Sequence, residues 1–478
     1  MEPSKSNAMN TPLPDLSRRA FLRQSCCAAV GTTGVLSALG QLRLMAALAG
    51  DSLPRNTAAA VLPDYKALVC LFLQGGNDGT SLIIPTDAAA YTAYATARSD
   101  LAVARDGLLP LAPKTYADGR NYGLHPSASG LHGLFSQGKV GLLANVGMLV
   151  RPTTLADYKS GKNLPPQLYS HSDQLLQWQS SVPDKPFETG WGGRLADLLD
   201  ALNSNNEISM SISLNGANSF QRGKTIQPYS VNSGGVNSMN FFTQPTTSNG
   251  VFNARSNGFK ALVANPQENA LAAAFGTITK ESISDGDLLG TALRSAPTLK
   301  TAFPSNNTAA RLAMVAKLIS ISQGLGLRRQ VFFVQLGGWD MHGSQASAYG
   351  PLLAELSTAM RAFYDATVEL GVANQVTTFT ASDFGRTYTP NAGGTDHGWG
   401  NQQLIMGGAV QGGNIYGKMP SLAVNSDDDT GRGRWIPSTS VDEYNATLAT
   451  WFGVSPTNLP TVLPNIGRFA KPNLGFMG

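Results

Sequence analysis

Aspartate and histidine recur in this chain in short loops after apolar runs, a combination suited to holding a divalent cation. Three strand-like runs each end in a glycine-rich or small turn that presents a carboxylate. Ala67-Leu68-Val69-Cys70-Leu71-Phe72-Leu73 leads into Gly75-Gly76-Asn77-Asp78-Gly79, Val331-Phe332-Phe333-Val334 into Gly337-Gly338-Trp339-Asp340-Met341-His342, and Val376-Thr377-Thr378-Phe379-Thr380 into Ser382-Asp383-Phe384-Gly385-Arg386. The carboxyl ends of parallel strands line one edge of an α/β sheet, so carboxylates distant in sequence converge there. Convergent carboxylates repel unless a cation sits among them. A metal site is therefore the leading expectation.

The chain has five histidines, and their neighbours sort them. His342 follows Asp340 by two positions, His397 follows Asp396 in Gly393-Gly394-Thr395-Asp396-His397-Gly398-Trp399-Gly400, and His171 lies in Ser170-His171-Ser172-Asp173 at a helix start. Imidazole with carboxylate suits zinc or manganese, whereas an all-oxygen set favours calcium or magnesium. Zinc is the first expectation, with manganese or calcium as alternatives. His125 and His132 lack such company and are expected at the surface or packed in the core. A single Asp/Gly loop is usually only a turn, so the weight falls on the joint occurrence. Asp396 either orients a ligand histidine or forms its turn.

Ser170 and Ser172 are the candidate nucleophiles. At the start of a helix over 173–181, the dipole and free N–H groups would favour an anionic oxygen, and a metal would lower the hydroxyl pKa. Serines also cap helices routinely. Thr80 and Ser81 are fallback candidates that equally close the turn after Asp78. Arg386 either clamps a phosphate or sulfate bidentately or pairs with an acidic neighbour. Trp339 and Trp399 flank the Asp/His loops, and packing is their simplest role.

These residues need elements to hold them. Strands are predicted at 67–74, 139–146, 330–336, 374–380 and 403–409, near-continuous apolar runs that fit strands buried on both faces. Helices are predicted at 173–181, 192–203, 308–325, 352–370 and 441–453, alternating with the strands as in a mostly parallel sheet with helices on both faces. In 352–370 the apolar spacing of Leu352, Leu353, Leu356, Met360, Phe363 and Val368 is helical. Residues 204–300 break this alternation. They are rich in Asn, Ser and Gly and read as an irregular insertion or lid, despite the alternation of Ile208, Met210, Ile212 and Leu214. Asp427 to Arg434 reads as a solvated loop.

The 478 residues suffice for a large α/β domain, here assigned to 65–478, after a signal segment at 1–50 and a linker at 51–64. The formal charge of +4 is concentrated at the front: Lys5, Arg18, Arg19, Arg23 and Arg43 against Glu2 and Asp15 leave the remainder near +1. No basic face for nucleic acid is implied. Ser17-Arg18-Arg19-Ala20-Phe21-Leu22 reads as a twin-arginine export motif, followed by an Ala/Gly-rich stretch too short for a membrane span and a cleavage candidate at Ala47-Leu48-Ala49. The expected location is periplasmic or extracellular. The twin-arginine machinery is the expected export partner, and no stable membrane insertion is expected once the signal is removed. Cys26 and Cys27 fall in the signal, and Cys70 reads as a small buried hydrophobe. No phosphate-loop, dinucleotide or paired-cysteine pattern points to nucleotide or redox chemistry.

The order of Asp78, the Ser/His helix start, Asp340 with His342, Asp383 and His397 resembles the alkaline phosphatase and sulfatase superfamily. More closely, the chain resembles the twin-arginine-exported "domain of unknown function 1501" family. The matching motifs are Leu73-Gln74-Gly75-Gly76-Asn77-Asp78-Gly79, Ser170-His171-Ser172-Asp173-Gln174, Gly337 to His342, Ser382 to Thr387, Gly394 to Gly398 and the closing region with Trp451-Phe452-Gly453. The resemblance implies an alkaline-phosphatase-like α/β fold with Asp78, Asp340, His342, Asp383 and His397 as metal ligands. Asp383-Phe384 stands where the superfamily has Asp-His, and Asp340-Met341-His342 is shorter than its Asp-x-x-x-His, so one metal position is weak, rebuilt with His171, or absent. The implied activity is metal-dependent hydrolysis of phosphate or sulfate esters, on small or polymeric substrates. The alternative is a degenerate fold that keeps a cation and serves as a binding or structural module.

Overall fold

The computed structural model describes residues 64–204, 207–237, 250–265 and 269–478. The twin-arginine motif, Cys26, Cys27, the cleavage candidate, the linker up to residue 63 and residues 238–249 of the Asn/Ser/Gly-rich segment lie outside them.

The strands of the main sheet are β1 (Lys66–Leu73), β2 (Val140–Gly147), β3 (Ser211–Ser213), β4 (Tyr229–Asn232), β5 (Gly235–Val236), β6 (Arg329–Leu336), β7 (Val376–Ser382), β8 (Asn401–Gly407), β9 (Ile415–Gly417) and β10 (Thr439–Ser440). They form one ten-stranded sheet in the order β9-β2-β8-β7-β1-β6-β3-β4-β5, with β10 also paired to β2. β1 runs parallel to β7 on one side and β6 on the other, with Leu73 level with both Ser382 and Leu336. Three chains thus leave the sheet at one height. β8 is antiparallel to both β7 and β2, so its N-terminal end, just after His397, reaches that same edge. The sheet is mixed and mostly parallel.

The principal helices are α1 (Ala88–Arg98), α2 (Ser129–Ser136), α3 (His171–Ser180), α4 (Trp191–Leu199), α5 (Gly250–Ala264), α6 (Ala270–Arg294), α7 (Asn307–Ser320), α8 (Gln345–Glu369) and α9 (Val441–Phe452). In β1 every side chain from Ala67 to Leu73 is buried. Successive strand residues point to opposite faces, so both faces are covered. α8 packs on α7 and α2 in one group, while α3 packs on α4 and α9 lies against β1 and β2. Burying residues such as Leu68, Val69 and Leu71 stabilises the fold by about 1.5–3 kcal/mol each relative to exposure. Cys70 is buried among them, and burial pushes its thiol pKa up.

Two expectations change. The 204–300 segment contributes to the sheet: β3 pairs parallel with β6, β4 joins β3, and α5 and α6 follow. Gly276, Gly286 and Gly290 lower the helix propensity of α6, which conceals its 25 residues, while Asn269 caps it through Leu271 N and Ala272 N. α8 begins at Gln345, about two turns before the predicted start at 352. Pro351 argues for a boundary there, yet it lies inside the helix.

Candidate metal centre

Gly75, at the end of β1, stitches three strand-end loops together. Its N–H donates to Asp383 Oδ1 at 3.1 Å and its carbonyl accepts from Arg386 Nη1 at 3.1 Å. At φ +116° it occupies a backbone region open to glycine, and a Cβ there would lie 2.4 Å from Asp340 N. The loops after β7 and before β8 form a short antiparallel ladder, with Arg386 bridged to His397 and Gly398 N donating to Gly385 O at 2.7 Å. Thr395 N donates to Met341 O at 3.0 Å, which fastens the loop after β6 to the same ladder.

This scaffold brings His171, Asp340 and His397 together, with one ligand atom from each lying within 4.8 Å of the others. His342 joins them: its Nε2 is 3.0 Å from Asp340 Oδ1 and 2.9 Å from His397 Nε2. His397 Nε2 is 3.3 Å from Asp340 Oδ1, and His171 Nε2 is 3.3 Å from Asp340 Oδ2.

Each imidazole is oriented through its other nitrogen. His171 Nδ1 lies 2.7 Å from Asp383 Oδ2, His342 Nδ1 3.2 Å from Asp396 Oδ1, and His397 Nδ1 2.7 Å from the Tyr169 carbonyl. A carbonyl only accepts, so His397 carries its proton on Nδ1 and turns the Nε2 lone pair inward. Asp396 is desolvated, but hydrogen bonds from Asn391, Arg432 and His342 hold its pKa down at about 2. It is ionised at neutral pH and likewise accepts from His342 Nδ1–H. The Asp383 contact gives His171 the same orientation, and its buried Nε2 lacks a hydrogen-bond partner. Three nitrogen lone pairs therefore face one carboxylate at contact distance, an arrangement that repels itself without a cation or added protons. Burial, with the charges of His171 and Arg386, lowers the His397 pKa against the pull of the Tyr169 carbonyl and Asp340, so protonation of that ring is disfavoured. The donor set, imidazoles fixed from behind plus a carboxylate, fits a divalent metal ion.

The centre is held from outside as well. Burial alone would raise the Asp340 pKa, but the Arg386 hydrogen bond and charge, with His342 and His171, hold it below the usual carboxylate value. Burial raises the Asp383 pKa against the hydrogen bonds from His171 and Gly75. Tyr169 sits at φ +73°, rare for a bulky residue, and this conformation presents its carbonyl to His397. Gln174 Oε1 accepts from Tyr169 N at 3.0 Å and steadies the turn.

Asp78 is not brought into this cluster. Its Oδ1 accepts from Thr80 N, Thr80 Oγ1 and Ser81 N, and its Oδ2 accepts from Ser81 Oγ, Gln345 Nε2 and Arg98. Burial favours its neutral form, but the Arg98 charge and these hydrogen bonds keep its pKa low. It is a buried ion pair that caps the helical turn after β1, and Thr80 and Ser81 close that turn rather than standing free as nucleophiles. Asp383 likewise stands behind His171, its side chain only 1% exposed. Ser170 occupies the N-cap of α3, but its hydroxyl donates to Asp173 Oδ2 at 2.6 Å instead of capping, and Ser172 Oγ donates to the same oxygen at 3.2 Å. Arg386 is buried, with Asp340 Oδ1 2.6 Å from Nη1 and Thr395 Oγ1 3.1 Å from Nε, so it pairs with an acid and has no exposed fork for an anion. His125 Nδ1 accepts from Ser127 N, and His132 bonds the Pro110 carbonyl, so each is committed to its own local turn or helix. Trp339 and Trp399 are buried packing residues.

The loop at 427–434 does more than face solvent. Asp429 is 4% exposed and accepts from Gly431, Gly433 and Arg434 N–H groups. The loop so ordered sets Arg432 against Asp396, and Arg434 against the His397 carbonyl at 2.8 Å and over the Tyr169 ring at 5.1 Å. Tyr169, Arg98, Gln345, Arg432 and Arg434 carry no motif of their own. Only the position of Tyr169 next to Ser170-His171 offered a sequence signal.

An α/β protein with a histidine and aspartate cluster at one sheet edge is thus the class that fold and site define. The chain belongs to the family described as "Protein of unknown function (DUF1501)", which it matches over residues 65–459. No curated protein matches it. Among solved structures, the chain is similar to a sulfatase from Pseudoalteromonas sp. (11% identity, covering 83% of this chain and 69% of that one, TM-score 0.32). It is also similar to the soluble domain of lipooligosaccharide phosphoethanolamine transferase A from Neisseria meningitidis (8% identity, 85% and 95% covered, TM-score 0.33). A third is a lipoteichoic acid synthase from Listeria monocytogenes (7% identity, 87% and 79% covered, TM-score 0.35).

Proposed function

We propose that the protein is an exported, metal-dependent hydrolase of phosphate or sulfate esters. One observation carries this reading: the Nε2 atoms of His171, His342 and His397, each turned by a partner on Nδ1, converge on the Asp340 carboxylate. A divalent cation held by His171, Asp340 and His397, with His342 beside them, would act as a Lewis acid toward an ester oxygen. Nitrogen donors favour zinc, then manganese, over calcium. Arg386 fixes the Asp340 carboxylate, so the chain keeps its oxygen donor aimed without reorganisation. Arg432 and Arg434 place positive charge beside the cluster, which suits an anionic ester. Asp173 accepts the Ser170 hydroxyl and is the nearest group to take a proton from it.

The second reading, a metal-binding module without turnover, is favoured by the hydroxyls: those of Ser170, Ser172, Thr80 and Ser81 are each bonded to a carboxylate. Purified protein loaded with zinc or manganese and offered 4-nitrophenyl phosphate and 4-nitrophenyl sulfate separates the two. The hydrolase reading expects turnover of at least one ester, lost in Asp340→Asn and His397→Ala. Full metal occupancy with no turnover of either ester establishes the binding module.

A further inference from the structure

We propose that Arg386 is a fixed internal cation of the centre, held in place by Gln345 through Thr395, and that the centre consequently takes one divalent ion and not two. The inference rests on the metal-centre reading above and concerns which charges are already balanced by the chain itself.

Each carboxylate at this edge of the sheet has a partner of its own. Asp78 faces Arg98, Asp340 faces Arg386, and Asp396 faces Arg432. Asp383 is matched by His171 Nδ1–H and Gly75 N–H. An ionised carboxylate offers about four acceptor sites, and Asp78 already receives six donors. A second ion needs further anionic oxygens, and the carboxylates of Asp78, Asp340, Asp383 and Asp396 each already face a donor of the chain. The Arg386 guanidinium, its side chain 1% exposed, already occupies Asp340 Oδ1. A second cation at that oxygen would meet a buried positive charge within a few ångströms, where the repulsion is weakly screened.

Arg386 is the donor at the head of two hydrogen-bonded paths, one to Asp340 and one through Thr395 and Gln345 to Asp78. Gln345 Nε2 donates to Asp78 Oδ2 at 2.6 Å, which leaves Gln345 Oε1 to accept from Thr395 Oγ1 at 2.6 Å. With its proton committed to Gln345, Thr395 Oγ1 accepts from Arg386 Nε at 3.1 Å. Arg386 then donates to Asp340. The two ends of the chain of bonds agree on the orientation of the Gln345 amide. Gln345, Thr395 and Arg386 are thereby positioning residues: none is among the converging donors, and together they fix the one carboxylate that is.

The test is cobalt titration of the metal-stripped, purified protein, read by its visible absorption bands and by calorimetry, with zinc as the second probe. The expected endpoint is a single tight equivalent for each metal. Two tight equivalents overturn the proposal while leaving a metal centre in place. Binding of neither metal overturns the metal-centre reading and this inference with it. Gln345→Ala and Arg386→Gln should shift the cobalt bands and weaken affinity by about 10- to 100-fold, the usual effect of removing a residue that orients a ligand. Arg386→Lys, which keeps the charge but not the fork, should recover part of that loss. A Gln345→Ala protein with unchanged cobalt bands and affinity overturns the positioning role.

Discussion

At the scale of single residues, the same side-chain type divides into two jobs according to what faces it. Asp340 lies open on one side, with histidine nitrogens converging on it, while Asp78 is enclosed with Arg98 and hydrogen-bonded on every side. Their loops look alike in sequence, and nothing in Gly-Gly-x-Asp distinguishes a ligand from a buried ion pair. The consequence is measurable. Asp78→Asn leaves the buried Arg98 charge without its partner and should destabilise the fold by about 3–5 kcal/mol in chemical denaturation. Asp340→Asn, at a partly exposed site, should abolish metal binding by calorimetry with little loss of stability. If Asp78→Asn instead folds normally and loses the metal, Asp78 is a ligand and the assignment here is reversed.

At the scale of elements, the strand ends and helix starts carry the centre, so changes of shape there act on chemistry. Gly75→Ala would place a methyl against Asp340 N and strain a left-handed backbone position. The variant should keep the sheet, by far-ultraviolet circular dichroism, and lose metal affinity by tenfold or more, on the order of the effect expected for a displaced orienting group. In α9, Asp442 is fully buried with Oδ2 unpartnered, and burial, against the Ser181 hydrogen bond and the charges of Arg194 and Arg468, pushes its pKa up to about 7. The folded protein therefore retains this proton to about pH 7, whereas the unfolded chain releases it near the ordinary carboxylate value. Between those limits the native state binds more protons, so stability falls as pH rises and the loss is complete above them. Asp442→Asn should be more stable than the parent by up to a few kcal/mol at about pH 8 and indistinguishable at about pH 4. A variant no more stable at the higher pH would show that Asp442 is ionised there at no cost.

At the scale of the whole molecule, one edge of a mixed sheet gathers loops that lie hundreds of residues apart. β1, β6 and β7 end together because they are parallel and in register, and β8 contributes its beginning because it runs the other way. Export by the twin-arginine route is proposed from Ser17-Arg18-Arg19-Ala20-Phe21-Leu22. Replacing Arg18 and Arg19 by lysine should hold the full-length protein in the cytoplasm, as followed by cell fractionation. Unchanged secretion of that variant would remove the twin-arginine route. Among the described residues no helix is long and apolar enough to cross a membrane.

The apolar strand runs, the helix periodicity and the Asp/His loops were legible in the sequence because each is a local pattern of a few residues. β1, β6, β7 and β8 fall within two residues of their predicted bounds, and His171, Asp340, His342 and His397 were all named from their neighbours. The three-dimensional fold decided the rest. It withdrew Asp78 into an ion pair with Arg98, turned Arg386 onto Asp340, placed Asp383 behind His171 and set the Tyr169 carbonyl and Gln345 where they orient others. A side chain's partners across a sheet edge depend on strand order and register, which no run of neighbouring residues encodes. Whether a carboxylate binds an ion or a guanidinium follows from those partners alone.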